Sequence, residues 1–307
     1  GTGRLGGTGK LSLAATVQLP PVQGWEVPAS LASWAGCKPE ALAALAAPAK
    51  GDEKAVIASL RVLGKGIVVY MEAPKRESAK PEEAFQGICR AIHQALGSPV
   101  GGDRSVFLTA VELANAAVSQ MAPVLSGLDI NMGLGKFFPT LMERTALTGE
   151  KDVKIGVSSD KLVQQLAKHP KVGCEAVTKM VINAVARTER AVRPLVLLRT
   201  LLSDFGLRLC AQRDVVALLM SAAGQQLERL ERDKENAVET ADVLRPQLRG
   251  VLATVHQFSP ETVQYCMCEV DPSYRKLLAA ALQEAPNPRL VALGATAAEQ
   301  EEAQHIA

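Results

Sequence analysis

The chain has 307 residues, with 34 Lys and Arg against 32 Asp and Glu. The resulting net charge of +2 argues against a general nucleic-acid-binding protein and leaves only a local basic patch to meet an anionic partner. Hydrophobic residues reach 48%, drawn mostly from Ala, Leu and Val, which is ample for a core of closely packed helices in one solenoid or two compact domains.

The first 26 residues read as flexible or irregular. GTGRLGGTG is glycine-rich, and LSLAATV at 11–17 sits behind Arg4 and Lys10 in the manner of a signal peptide. Gln18, Pro20 and Pro21 follow without a cleavage site, so the stretch reads as intracellular sequence. Prolines at 20, 21 and 28 predict a short or broken first helix. PEALAALAA (39–47) is strongly helical, and 53–72 continues as helix although its GIVVY would suit a strand. A polar linker occupies 73–81.

PEEAFQGICRAIHQALG (81–97) opens on proline and acids and ends in glycine, and pairs across SPVGG with a helix at 103–121. Residues 136–170 hold a hairpin. Phe137, Phe138, Leu141 and Met142 share one face of its first helix, which carries Pro139. GEKDVK makes the turn, and Val157, Leu162, Val163 and Leu166 line the second helix. Pairs follow at 173–187 with 193–206, and at 212–230 with 236–255, where Pro246 predicts a kink. SPETVQYCM (259–267) and DPSYRKLLAAALQEA (271–285) close the fold, and the segment 286–307 reads as a frayed tail. A lone hairpin cannot bury both apolar faces, so neighbours must stack on it. The expectation is an all-α fold: an α-solenoid of about five to six HEAT-like hairpins over 27–285, near the ~40-residue period of HEAT and armadillo arrays.

Catalytic and metal signatures fail on context. GTGRLG matches a dinucleotide fingerprint but has no strand before it, and Gly9-Lys10 lacks both the first glycine and the Ser/Thr of a phosphate loop. His93, His169, His256 and His305 are far apart. Cys37, Cys89, Cys174, Cys210, Cys266 and Cys268 form no CxxC pair, and Cys266 and Cys268 would face different sides of a helix. This pattern fits a reducing compartment rather than a disulfide framework. No apolar run reaches the roughly 18 residues of a membrane span. The reading is therefore of a protein that is not an enzyme and uses no cofactor or metal.

The turns carry a resemblance. Trp34 precedes a Glu-Ala-Leu-x-x-Leu helix (Glu40-Ala41-Leu42-Ala43-Ala44-Leu45), Asp103-Arg104 precedes Val106-Phe107, and Phe138-Pro139-Thr140-Leu141-Met142-Glu143-Arg144-Thr145 leads into a basic turn. HQFSPETVQYCM (256–267) follows in order. Over about residues 30–283 this succession resembles TOG domains, HEAT-repeat arrays that bind tubulin, and in particular the lineage of the ciliary-tip centrosomal protein of one hundred and four kilodaltons and its algal and protist relatives. The linker 48–81 is longer than in that pattern, the turn at 147–152 is stretched, and Glu239 stands where the pattern has arginine.

The resemblance implies a tubulin-binding edge made of intra-hairpin turns, with Trp34, Arg104, Lys151, Lys154, Arg187, Arg190 and Lys234 as contacts to αβ-tubulin or a microtubule end. It further implies residence in the cytoplasm and cytoskeleton, at a cilium or flagellum tip or a centriole, with other ciliary or centrosomal partners reached through the parent chain, and neither nucleic acid nor membrane bound. Plainer roles stand beside these. Trp34 would equally cap the core, turn cations commonly neutralise helix C-termini, and Lys154 would pair with an acid of a neighbouring repeat. Arg187 and Arg193 would serve packing or capping. A HEAT or armadillo scaffold without tubulin binding is the alternative function, and an all-helical enzyme the third class.

Overall fold

The computed structural model describes residues 25–72, 80–149, 152–188, 191–232 and 238–283, with the side chains of 238–241 outside the description. Among these residues the chain forms α1 (Ala29–Trp34), α2 (Glu53–Glu72), α3 (Pro81–Gly97), α4 (Arg104–Met121), α5 (Gly127–Thr148) and α6 (Val153–Lys168). It continues with α7 (Cys174–Arg187), α8 (Val192–Cys210), α9 (Arg213–Arg232), α10 (Val238–Phe258), α11 (Pro260–Glu269) and α12 (Pro272–Gln283). Short 3₁₀ segments lie at Pro39–Leu45, Pro99–Gly102 and Ala122–Val124, each with proline in its first turn. GIVVY is helical, its Gly66, Ile67 and Tyr70 turned inward at helical spacing.

These helices make two layers. Odd helices pack on odd (α1 on α3, α3 on α5, α5 on α7, α7 on α9, α9 on α11) and even on even from α2 to α12. The helices follow as six consecutive pairs; the middle four, α3–α4 to α9–α10, pack as hairpins, while α1 and α2 pack on α3 and α4 and α11 and α12 pack on α9 and α10, an α-solenoid as the sequence predicts. The core runs unbroken between the layers, with Phe85, Phe107, Phe137 and Phe138 fully buried beside Leu, Ile and Val from every hairpin up to α10. Layer packing is closest where glycine removes a side chain. A Cβ at Gly133 would lie 2.4 Å from Phe85 Cε1, and one at Gly206 2.2 Å from Phe258 Cε2.

Three local expectations are corrected. α5 begins nine residues before 136, because Ser126 and Asp129 form a capping box: Ser126 Oγ accepts from Asp129 N at 3.1 Å and the Asp129 carboxylate accepts from Ser126 N at 3.2 Å. Gly206 does not stop α8, which runs to Cys210; the glycine is there to admit the Phe258 ring. On α6 the buried stripe is Ile155, Ser159, Leu162, Val163 and Leu166, and Val157 is exposed. Elsewhere the predicted faces hold: Phe137, Phe138, Leu141 and Met142 are all buried, and Cys266 is buried while Cys268 is exposed.

Side chains from one hairpin seal the helix ends of its neighbour, where backbone carbonyls lack intrahelical partners. Arg144, near the end of α5, donates from Nε to Leu96 O and from Nη2 to Ser98 O, both at 2.9 Å. Gln226, near the end of α9, donates to Val185 O in the last turn of α7 and to Thr188 O just beyond it at 3.0 Å. On the opposite edge Lys171 Nζ donates to Ala122 O at 2.6 Å and Leu125 O at 2.8 Å. Arg144→Ala removes two charge-assisted bonds and strands carbonyls at a part-buried seam, an expected loss of about 2–3 kcal/mol measurable by urea unfolding. An unchanged unfolding midpoint would show that the seam closes without it.

A candidate protein-binding edge

The turns closing α3–α4 and α5–α6 are joined by the bond from Arg144 to Ser98, and the turn closing α7–α8 falls on the same edge, where Glu143 of α5 and Arg187 of α7 line one groove. Each even helix starts there. Asp103 caps α4, its Oδ1 accepting from Ser105 N at 2.8 Å and Val106 N at 3.0 Å. Asp152 caps α6, its Oδ1 accepting from Lys154 N at 3.0 Å. Next to these caps stand Arg104 and Lys154, so the same short polar residues that start the helices also set the first cations of the edge.

Arg104 is exposed, and its Nε donates to the Asp152 carboxylate, joining the second hairpin turn to the third. That guanidinium, with the amide of Lys154, holds the Asp152 carboxyl below its ordinary range. Lys154 is exposed and forms no ion pair among the described residues, so it does not act as the inter-repeat structural cation. That role belongs to Arg193, whose Nη2 meets Asp160 at 2.6 Å across α8 and α6. Burial raises the Asp160 pKa while Arg193 pulls it down. Arg187 ends α7, is exposed, and lines a shallow groove with Pro139, Glu143, Met180 and Asn183. Burial pushes the Glu143 carboxyl up, and Arg187 and Arg144 act against that.

Arg104, Lys154 and Arg187 thus share the edge. Lys151, Arg190 and Lys234 lie outside the described residues, as does the side chain of Glu239. Trp34 is corrected: it is 2% exposed, its ring centroid 5.3 Å from that of Tyr70 at 40°, and its Nε1 has no hydrogen-bond partner. Its indole is core between α1 and α2, not a surface contact. The apolar element of the edge is instead Val153, the first residue of α6, at 72% exposure between Asp152 and Lys154. Val157, Val196 and Val243 are also exposed in the early turns of α6, α8 and α10. The sequence reading missed Val153 and Asp152. Asp152 had a visible signal, an Asp at the cap position before an amphipathic run.

Among the described residues no group of three or more His, Cys, Asp or Glu could hold a metal ion, and no helix is long and apolar enough to cross a membrane.

No known family profile matches the sequence, and no curated protein does. Among solved structures the chain is similar to the TOG domain of human Cep104, with 16% identity over 84% of this chain and 92% of that one, at a TM-score of 0.56. The chain therefore has a TOG-like fold.

Proposed function

We propose that this is a non-enzymatic tubulin-binding domain, needing no cofactor, that meets αβ-tubulin along the hairpin-turn edge. The observation that supports the reading is the placement of Arg104, Lys154 and Arg187 on one edge of a TOG-like fold, with Val153 exposed among them. Tubulin offers an acidic surface; the cations speed and orient the encounter, and Val153 supplies area that leaves water on docking. Lys151, Arg190 and Lys234 are proposed as further contacts on the strength of the sequence resemblance alone. We further propose 27–285 as the folding unit and a cilium or centriole as the location of the parent chain, a reading supported by the likeness to the TOG domain of human Cep104 and by the sequence resemblance to the ciliary-tip lineage. The burial of Trp34 favours the second reading, a HEAT-type scaffold that binds another protein without tubulin.

The test is gel filtration of the chain with unpolymerised αβ-tubulin at low and moderate salt. A co-eluting complex that weakens with salt supports tubulin binding; no complex at low salt, with the protein folded, moves the assignment to the scaffold.

Asp152 tempers the edge by neutralising Arg104. Asp152→Asn keeps a good helix cap while freeing the guanidinium. We expect severalfold tighter tubulin binding, read by titration of labelled tubulin; weaker binding would show that the Arg104–Asp152 pair itself is the recognised shape.

A further inference from the structure

A second surface lies away from the hairpin-turn edge. Leu128 and Met132 on α5 are 70% and 58% exposed, and Val124 just before the helix is exposed as well. Leu128, Met132 and Lys136 recur every four residues, so they form one stripe on the outer side of the odd-helix layer. The stripe is open along its length: Gly135 is exposed and has nothing within 4 Å of where a Cβ would stand. Pro139 has no N–H to offer the Gly135 carbonyl, so that acceptor loses its normal helical donor on the same face.

The stripe is flanked by cations without carboxylates. Gln86 Nε2 donates to Asp129 O at 2.9 Å, and His93 Nδ1 lies 2.8 Å from Thr140 Oγ1. These two bonds bracket Arg90 and place it level with Gly133–Lys136 of α5. Arg90 Nε is buried without a hydrogen-bond partner, and neither Arg90 nor Lys136 forms an ion pair among the described residues. The Arg90 charge is felt by its neighbour: burial, and then Arg90, lower the His93 pKa. Two nearby acids are turned elsewhere. Asp129 folds back on Ser126, with 2.5 Å to its Oγ, and Glu83 sits with Lys80 at 3.7 Å at the head of α3.

Exposed apolar side chains bordered by unpaired cations are complementary to a ligand with the opposite pattern. We propose that the outer face of α5, with Arg90 of α3, docks an acidic peptide segment of a partner protein bearing leucine-sized apolar side chains. Its apolar side chains cover Leu128 and Met132, and its carboxylates pair with Lys136 and Arg90. The surface is separate from the tubulin-binding edge and does not depend on it.

The probe is a labelled synthetic peptide in which leucines recur at helical spacing among glutamates, titrated against the full chain by fluorescence anisotropy. A counterpart has lysine in place of every glutamate. The acidic peptide is expected to bind, the basic one to bind at least about tenfold more weakly, and Met132→Glu with Lys136→Glu to remove binding. Both side chains project into solvent, so these variants keep the wild-type circular dichroism and unfolding midpoint. Lys154→Glu, on the turn edge, is expected to leave peptide affinity unchanged. Equal binding of the two peptides, no binding of the acidic one, or full binding by the double variant would overturn the proposal. So would a wild-type dimer in light scattering that Met132→Glu dissolves, which would assign the face to a second copy of the chain.

Discussion

Trp34→Ala is expected to destabilise the domain by about 3–5 kcal/mol, the range for removing a large aromatic from a close-packed core. The indole is 2% exposed, tilted at 40° against the Tyr70 ring and part of one core with the buried side chains of α1 and α2. Those neighbours belong to the end of the array, where a helix has a partner on one side only, so little can collapse into the cavity. Denaturant unfolding measures the loss. Trp34→Phe separates packing from hydrogen bonding: because Trp34 Nε1 has no partner, phenylalanine forfeits volume but no bond. The phenylalanine variant should therefore recover most of the stability and bind tubulin as wild type does. A stable Trp34→Ala protein that has lost tubulin binding would instead mean that the indole swings out to become a contact.

Val153→Glu combined with Lys154→Glu should weaken tubulin binding by at least about a hundredfold, about 2.7 kcal/mol. Both residues stand on the first turn of α6, directly after Asp152, which pairs with Arg104. In the free domain their side chains face solvent, so the substitutions change the edge and not the core. The first places a carboxylate where apolar area must leave water, and the second reverses the cation next to it. Adding acids to the first turn of a helix also suits the helix dipole, so the variant is expected to keep its fold, which circular dichroism checks directly. Retained affinity would remove the third turn from the interface.

How much of this was legible in the sequence depends on the range of the interaction that decided each feature. Helix pairing was local. Proline and acids at the start of α3, the Asp103 cap of α4 and the apolar stripe through Phe137, Phe138 and Leu141 each carry their own signal. The early start of α5 was equally local, written as Ser126 and Asp129, but three glycines in the first turns obscured it. Side-chain fates were not local. Whether Trp34 faced solvent depended on Tyr70 at the far end of α2, and whether Arg104 was free depended on Asp152 two helices on. Val157 was assigned to the buried face because it is apolar, yet Ser159 took that position and bonds Thr145 Oγ1 at 3.0 Å. A buried polar pair of that kind cannot be read from hydrophobic periodicity alone. The order of motifs across the turns located the edge; its working surface required the packing.

The most direct measurement is hydrogen exchange of the chain with and without unpolymerised αβ-tubulin at low salt. Tubulin binding at the turn edge predicts new protection at amides beside the hairpin turns, around Arg104, around Val153 to Val157 and at the end of α7 near Arg187. Protection confined to the outer face of α5, or no tubulin-dependent protection at any turn, would contradict it.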